Sequence, residues 1–143
     1  MKGQVSIELL IIIIILVSIL SFLLTTTTSR ESEFISTRDT LHAKEIADEV
    51  SFSINEVFLA GSGTTKEIRL PPTLRSGANY SLLLYDKAHL LEIRYFKEGS
   101  ANKSYLTTLL ASNITGSFPD SGGTINITHL NITGMINISY KAG

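Results

Sequence analysis

The chain has 143 residues, three His, no Cys and a formal charge of −1, with its twelve Lys and Arg scattered along it. That length accommodates one modest domain plus one long membrane element, since domains typically run to about 100–150 residues. The absence of a basic block removes a footprint for nucleic acid, and the absence of Cys removes disulfide frameworks, thiolate metal sites and Cys nucleophiles.

The first element is apolar. Leu9 to Leu24 is a run of sixteen residues broken only by Ser18 and Ser21. Adding Val5–Glu8 and Thr25–Thr28 brings a helix to the roughly 20 residues that cross a bilayer. A cleaved secretory signal would need small residues of the A-x-A type behind the run, and Leu23-Leu24-Thr25-Thr26-Thr27 supplies none. A plain anchor has no use for Glu8, because an ionisable group at the edge of hydrocarbon costs on the order of a few kcal/mol unless it is paired.

The residues Lys2-Gly3-Gln4-Val5-Ser6-Ile7-Glu8 resemble the precursor signature of archaeal type IV pilin-like proteins, a class III signal peptide in which a basic residue and Gly precede Q-x-S-x-E. The motif residues are Lys2, Gly3, Gln4, Ser6 and Glu8, and the family's later Leu is replaced by Ile12. The resemblance is firm over residues 2–24, looser over the helical stretch to Ala60, and silent beyond it. It implies a prepilin peptidase that cuts between Gly3 and Gln4, leaves the apolar run on the mature chain and makes Gln4 the new N-terminus. A membrane platform and an assembly ATPase are implied with it.

Gln4 and Glu8 lie four apart, so on a helix they share a face, with the freed amine one turn before the carboxylate. The resemblance implies that Glu8 pairs with the amine of a neighbouring subunit and sets helix register. A pair within one chain is the alternative that the spacing also allows. An ion pair in apolar surroundings specifies register better than it stabilises.

The helical period continues past the threonines: Ala43, Ala47, Val50, Ile54, Val57 and Phe58 step by three and four, with charged residues on the other faces. Gly61-Ser62-Gly63 supplies the stop. One helix is therefore expected over 4–60, about 85 Å long at 1.5 Å per residue, its first 25 or so residues forming the membrane or filament-core portion. Thr25–Thr28 is its weakest stretch, because β-branched residues lose side-chain freedom in a helix, and the stretch from Thr25 to Ser29 leaves room for a bend or local unwinding.

From residue 61 to 143 the period becomes alternating. Strand-like runs fall at 65–70, 80–85, 90–97, 105–111, 124–130 and 135–140, separated by Pro, Gly, Asp and Ser. The expected fold class is α+β, a long N-terminal helix followed by a small antiparallel β domain in meander order.

Six of the seven Asn stand in N-x-[ST] sequons: Asn79, Asn102, Asn113, Asn126, Asn131 and Asn137. With Ser and Thr near a fifth of the chain, chance would give about one or two. N-linked glycosylation is the functional reading, and it requires a surface outside the membrane. Clustering of short polar residues in solvent-facing strands is the alternative. No other cofactor is implied.

His42, His89 and His129 lie far apart and lack carboxylates at metal-ligand spacing, so no metal site is expected. Gly61-Ser62-Gly63 lacks the Lys of a phosphate loop, and no G-x-S-x-G elbow occurs, so no enzymatic activity is expected. The reading is a non-enzymatic subunit of an adhesive extracellular filament, residues 1–3 being a leader. It would be a membrane precursor first and a self-associated helical polymer at the cell surface afterwards. The alternatives are a monomeric membrane-anchored binding domain and an archaellum-type filament subunit.

Overall fold

The computed structural model describes residues 2–96, 102–120, 122–130 and 134–141, with the main chain alone at 2–6, 28, 29, 31, 32 and 141. It is α+β. One helix, α1 (Lys2–Ala60), precedes seven strands: β1 (Thr65–Leu70), β2 (Tyr80–Tyr85), β3 (Leu90–Tyr95), β4 (Lys103–Thr108), β5 (Ile114–Gly116), β6 (Gly123–His129) and β7 (Ile136–Lys141). The chain divides into two compact units, residues 1–37 and 38–143.

The helix runs through the threonines without local unwinding, as one element over the expected range. The hydroxyls of Thr25, Thr26 and Thr27 donate to the carbonyls of Ser21, Phe22 and Leu23 at 2.8–2.9 Å, as Ser18 does to Ile14 at 2.8 Å. Bonding back to the preceding turn satisfies each hydroxyl within the helix itself. The helix ends where Gly61 takes a left-handed φ of 87°.

In the second unit the stripe Ala43, Ala47, Val50, Ile54 and Val57 is buried, each residue at 1% exposure or less. It joins one core with inward residues of both sheets, among them Ile68, Leu91, Ile93, Ile125 and Ile136. Side-chain hydrogen bonds tie the same helix to the three-stranded sheet: Thr40 with Tyr95 at 2.9 Å, Tyr105 to Asp48 at 3.2 Å and Ser51 with Thr107 at 3.4 Å.

The three-stranded sheet is the antiparallel meander β2-β3-β4, but the four-stranded one has the order β1-β6-β7-β5. Two expectations are corrected here. The second sheet is not a meander, and β5 pairs with β7 in parallel, Ile114 beside Ile136 and Gly116 beside Ile138. Three residues are too few to display an alternating pattern, so β5 was not visible in the sequence; the run expected over 105–111 instead ends at Thr108.

Two polar side chains hold the β4–β5 connection in place. Asn55 accepts from the Leu110 amide at 2.8 Å, and Asp86 accepts from the Ile114 amide at 2.9 Å. Gly116, at φ 116°, lies so close to β7 that a Cβ would overlap the Ile138 carbonyl.

Of the three His, His42 accepts from the Arg75 amide at 3.2 Å, and His89 places Nδ1 3.1 Å from the Ala111 carbonyl oxygen. His129 is buried beside the Phe58 ring, centroids 6.1 Å apart, and neither ring nitrogen has a hydrogen-bond partner among the described residues. An unpartnered buried polar group costs about 1–3 kcal/mol.

His129→Leu is accordingly expected to raise the melting temperature of the full chain in detergent by several degrees, as about 1 kcal/mol or more does in a domain of this size. Gly116→Ala is expected to lower it, because the β5–β7 backbone contact must open. Thermal melting followed by near-UV circular dichroism measures both, and an unchanged melting temperature for either variant contradicts the packing described.

Candidate functional site

Two features of the chain call for a functional explanation: an exposed apolar helical segment and a set of asparagines in N-x-[ST] triplets.

In the first unit every large apolar side chain from Leu9 to Leu24 is 50–71% exposed. The helix from Ile7 to Thr27, 21 residues, is long and apolar enough to cross a membrane. A surface helix of a water-soluble protein keeps a polar face, whereas here Ser18 and Ser21 are the polar residues between Leu9 and Leu24, and at least Ser18 turns its hydroxyl inward to the backbone. Glu8 sits exposed near the start of this span. Lys2, Gly3, Gln4 and Ser6 lie on the helical main chain, so the Gly3–Gln4 peptide is part of the first turns of α1.

The sequons fall into two structural classes. Asn79, Asn102 and Asn113 are exposed and precede β2, β4 and β5 respectively. Asn113 has φ 60°, a left-handed conformation that Asn tolerates better than most residues. Asn126 and Asn137 are half-buried within β6 and β7, facing away from the core because Ile125, Ile127, Ile136 and Ile138 face into it. Asn131 lies outside the described residues. Asn55, the one Asn without a sequon, spends its side-chain carbonyl on the Leu110 amide.

The outward face of the four-stranded sheet is polar throughout. Asn126 stands between Glu67 of β1 and Ser139 of β7, while Asn137 stands opposite Thr128. Thr65 and Thr128 share a hydrogen bond of 3.2 Å. The other sheet presents a compact ionic cluster that sequence reasoning missed. The Arg94 guanidinium donates to Glu92 at 2.9 Å and to the Tyr85 hydroxyl at 2.9 Å, and that hydroxyl donates to Glu92 at 2.8 Å. The bond from Arg94, helped by Tyr85 and Ser104, holds the Glu92 carboxyl below the usual carboxylate range against the opposing effect of its burial. Alternation of charge and Leu along Leu90–Tyr95 was the available signal, since Glu92 and Arg94 must share a strand face.

Among the described residues no group of three His, Asp or Glu could hold a metal ion. Comparison with family models, with curated proteins and with solved structures finds no match to this chain.

Because its folded value is held down, Glu92 contributes stability that is present above the range where an unfolded Glu titrates and is lost as the pH falls through the folded value. Arg94→Gln is expected to move the Glu92 titration, followed by carboxyl-carbon NMR, upward toward that of an ordinary Glu. It should also flatten the loss of stability in acid. An unmoved titration shows that Arg94 is not the cause.

Proposed function

We propose that this chain is a structural subunit of an extracellular filament of the archaeal type IV pilus-like kind, polymerising through α1 after residues 1–3 are removed. The observation that supports it most is the helix Ile7–Thr27, whose apolar side chains have no cover within the chain. The signature around Gly3 and Gln4 assigns such a helix to a class of protein that keeps it and packs it against copies of itself.

The energetics fit a two-stage life. Lipid tails are as apolar as Leu, so transfer from the bilayer to a core of like helices gains little hydrophobic free energy, and packing with a specific polar contact must select the assembled state. Glu8 and the amine freed at Gln4 supply that contact between neighbouring subunits. Return to water would expose the run at about 0.8 kcal/mol per CH₂, so an extruded filament stays assembled. Extraction from the membrane needs an external motor, the role the family gives to its platform and ATPase.

The β domain is then the displayed part, and its sequons carry N-linked glycans outside the cell. A glycan coat shields strand edges that otherwise pair between molecules, a useful property in a domain without disulfides. Attachment to surfaces is the function that a displayed, glycosylated, non-enzymatic domain serves.

Glu8→Ala tests the assembly reading. Leaving the amine of Gln4 buried without its carboxylate costs about 3–5 kcal/mol per contact, enough to empty the filament state while membrane insertion persists. Electron microscopy of surface filaments and N-terminal sequencing of their subunit are expected to show filaments starting at Gln4 in the parent and none in the variant. Filaments undiminished in the variant, or native protein isolated as a monomer still carrying Met1–Gly3, overturn the proposal in favour of a membrane-tethered domain.

A further inference from the structure

We infer that Asn126 and Asn137 accept glycan only on the unfolded chain, before β6 and β7 are closed into the four-stranded sheet, whereas Asn79, Asn102 and Asn113 stay open as acceptors on the folded domain. The inference rests on the reading that these sequons are glycosylated.

The chemistry sets the constraint. A carboxamide nitrogen is a poor nucleophile because its lone pair is delocalised into the carbonyl. A transferase must therefore enclose the Asn side chain and bend the main chain around it while the sugar is transferred from a lipid-phosphate-linked oligosaccharide. In that step the bond from the sugar's C1 to the phosphate oxygen breaks and a bond from C1 to Nδ2 forms. The lipid phosphate leaves with the electron pair, and Nδ2 gives one proton to a base of the enzyme.

Asn126 and Asn137 present outward side chains, but their main chains cannot be gripped. Asn126 is paired on both flanks, with Glu67 of β1 and Ser139 of β7. Asn137 is likewise paired with Thr128 of β6 and Thr115 of β5. Bending either segment into an enzyme cleft means breaking two ladders at once, and both residues are already half-buried among their neighbours. The two are also diagonal neighbours on one face, about 7–8 Å apart as such pairs are, so a folded sheet offers no separate approach to each.

The other described sequons lack this double constraint. Asn79, Asn102 and Asn113 precede their strands and are exposed. Asn79 accepts one main-chain bond from Phe96 at 3.3 Å, and Asn113 accepts one from Ile136 at 3.1 Å.

Topology leaves time before the sheet closes. β6 and β7 form a local hairpin, His129 opposite Ile136, but β6 closes onto β1 with Thr65 and Thr128 63 residues apart, and pairing over such separations is slow compared with local hairpins.

The test uses the unglycosylated full chain folded in detergent, a single-subunit oligosaccharyltransferase and its lipid-linked oligosaccharide, with synthetic peptides spanning residues 122–130 and 134–141 as unfolded acceptors. Site occupancy is read by peptide mass spectrometry. The expected result is full modification of both peptides and of Asn79, Asn102 and Asn113 in the folded chain, with occupancy at Asn126 and Asn137 at least tenfold lower there than in the peptides. Folded Asn126 and Asn137 modified to within twofold of the peptides overturns the inference. Failure of every sequon, peptides included, overturns instead the glycosylation reading beneath it.

Discussion

A helix with no polar face between Leu9 and Leu24 has no stable place in water, and that constraint governs the chain. Burying one Leu, Ile or Phe is worth about 1.5–3 kcal/mol, so the uncovered run represents tens of kcal/mol, against a net stability of about 5–15 kcal/mol for a typical domain. Nothing the β domain gains by folding can offset that exposure. The helix Ile7–Thr27 is long and apolar enough to cross a membrane, and the inward bonding of the Ser18 and Thr25–Thr27 hydroxyls suits such surroundings.

The same helix meets a different requirement beyond residue 37. There it contributes one apolar stripe and leaves charged side chains on its other faces, so it acts as an ordinary structural element of the second unit. Ala43, Ala47, Val50, Ile54 and Val57 join one core with inward residues of both sheets. Without disulfides, the domain is stabilised by this shared core and by polar contacts at its edges. Of these the bonds to main-chain amides from Asn55 and Asp86 matter more than the exposed pairs Lys66–Glu56 and Arg75–Glu45, because exposed ion pairs contribute about 0–1 kcal/mol.

The two sheets present unlike outer surfaces. The four-stranded sheet turns polar side chains outward, among them Thr65, Glu67, Asn126, Thr128, Asn137 and Ser139. The three-stranded sheet carries the Tyr85–Glu92–Arg94 cluster, whose charges are neutralised within the sheet itself. The polar outer face of the four-stranded sheet explains why N-x-[ST] triplets can lie in its strands without costing core residues.

Local periodicity in the sequence was enough to place the helix, its change from an all-round apolar surface to a stripe, and most strands to within a few residues. The motif at Lys2–Glu8 and the six sequons were equally legible, since each is a run of adjacent residues. Periodicity states which face of a segment is apolar but not which partner covers it, and strand pairing draws its free energy from contacts between residues far apart in the chain. Only the tertiary structure therefore decided that β6 lies between β1 and β7, that three residues at Ile114–Gly116 complete the sheet in parallel, and that His129 loses its hydrogen-bond partners. By the same physical rule it divided sequons identical in sequence into exposed positions ahead of strands and positions held on both flanks by neighbouring main chain.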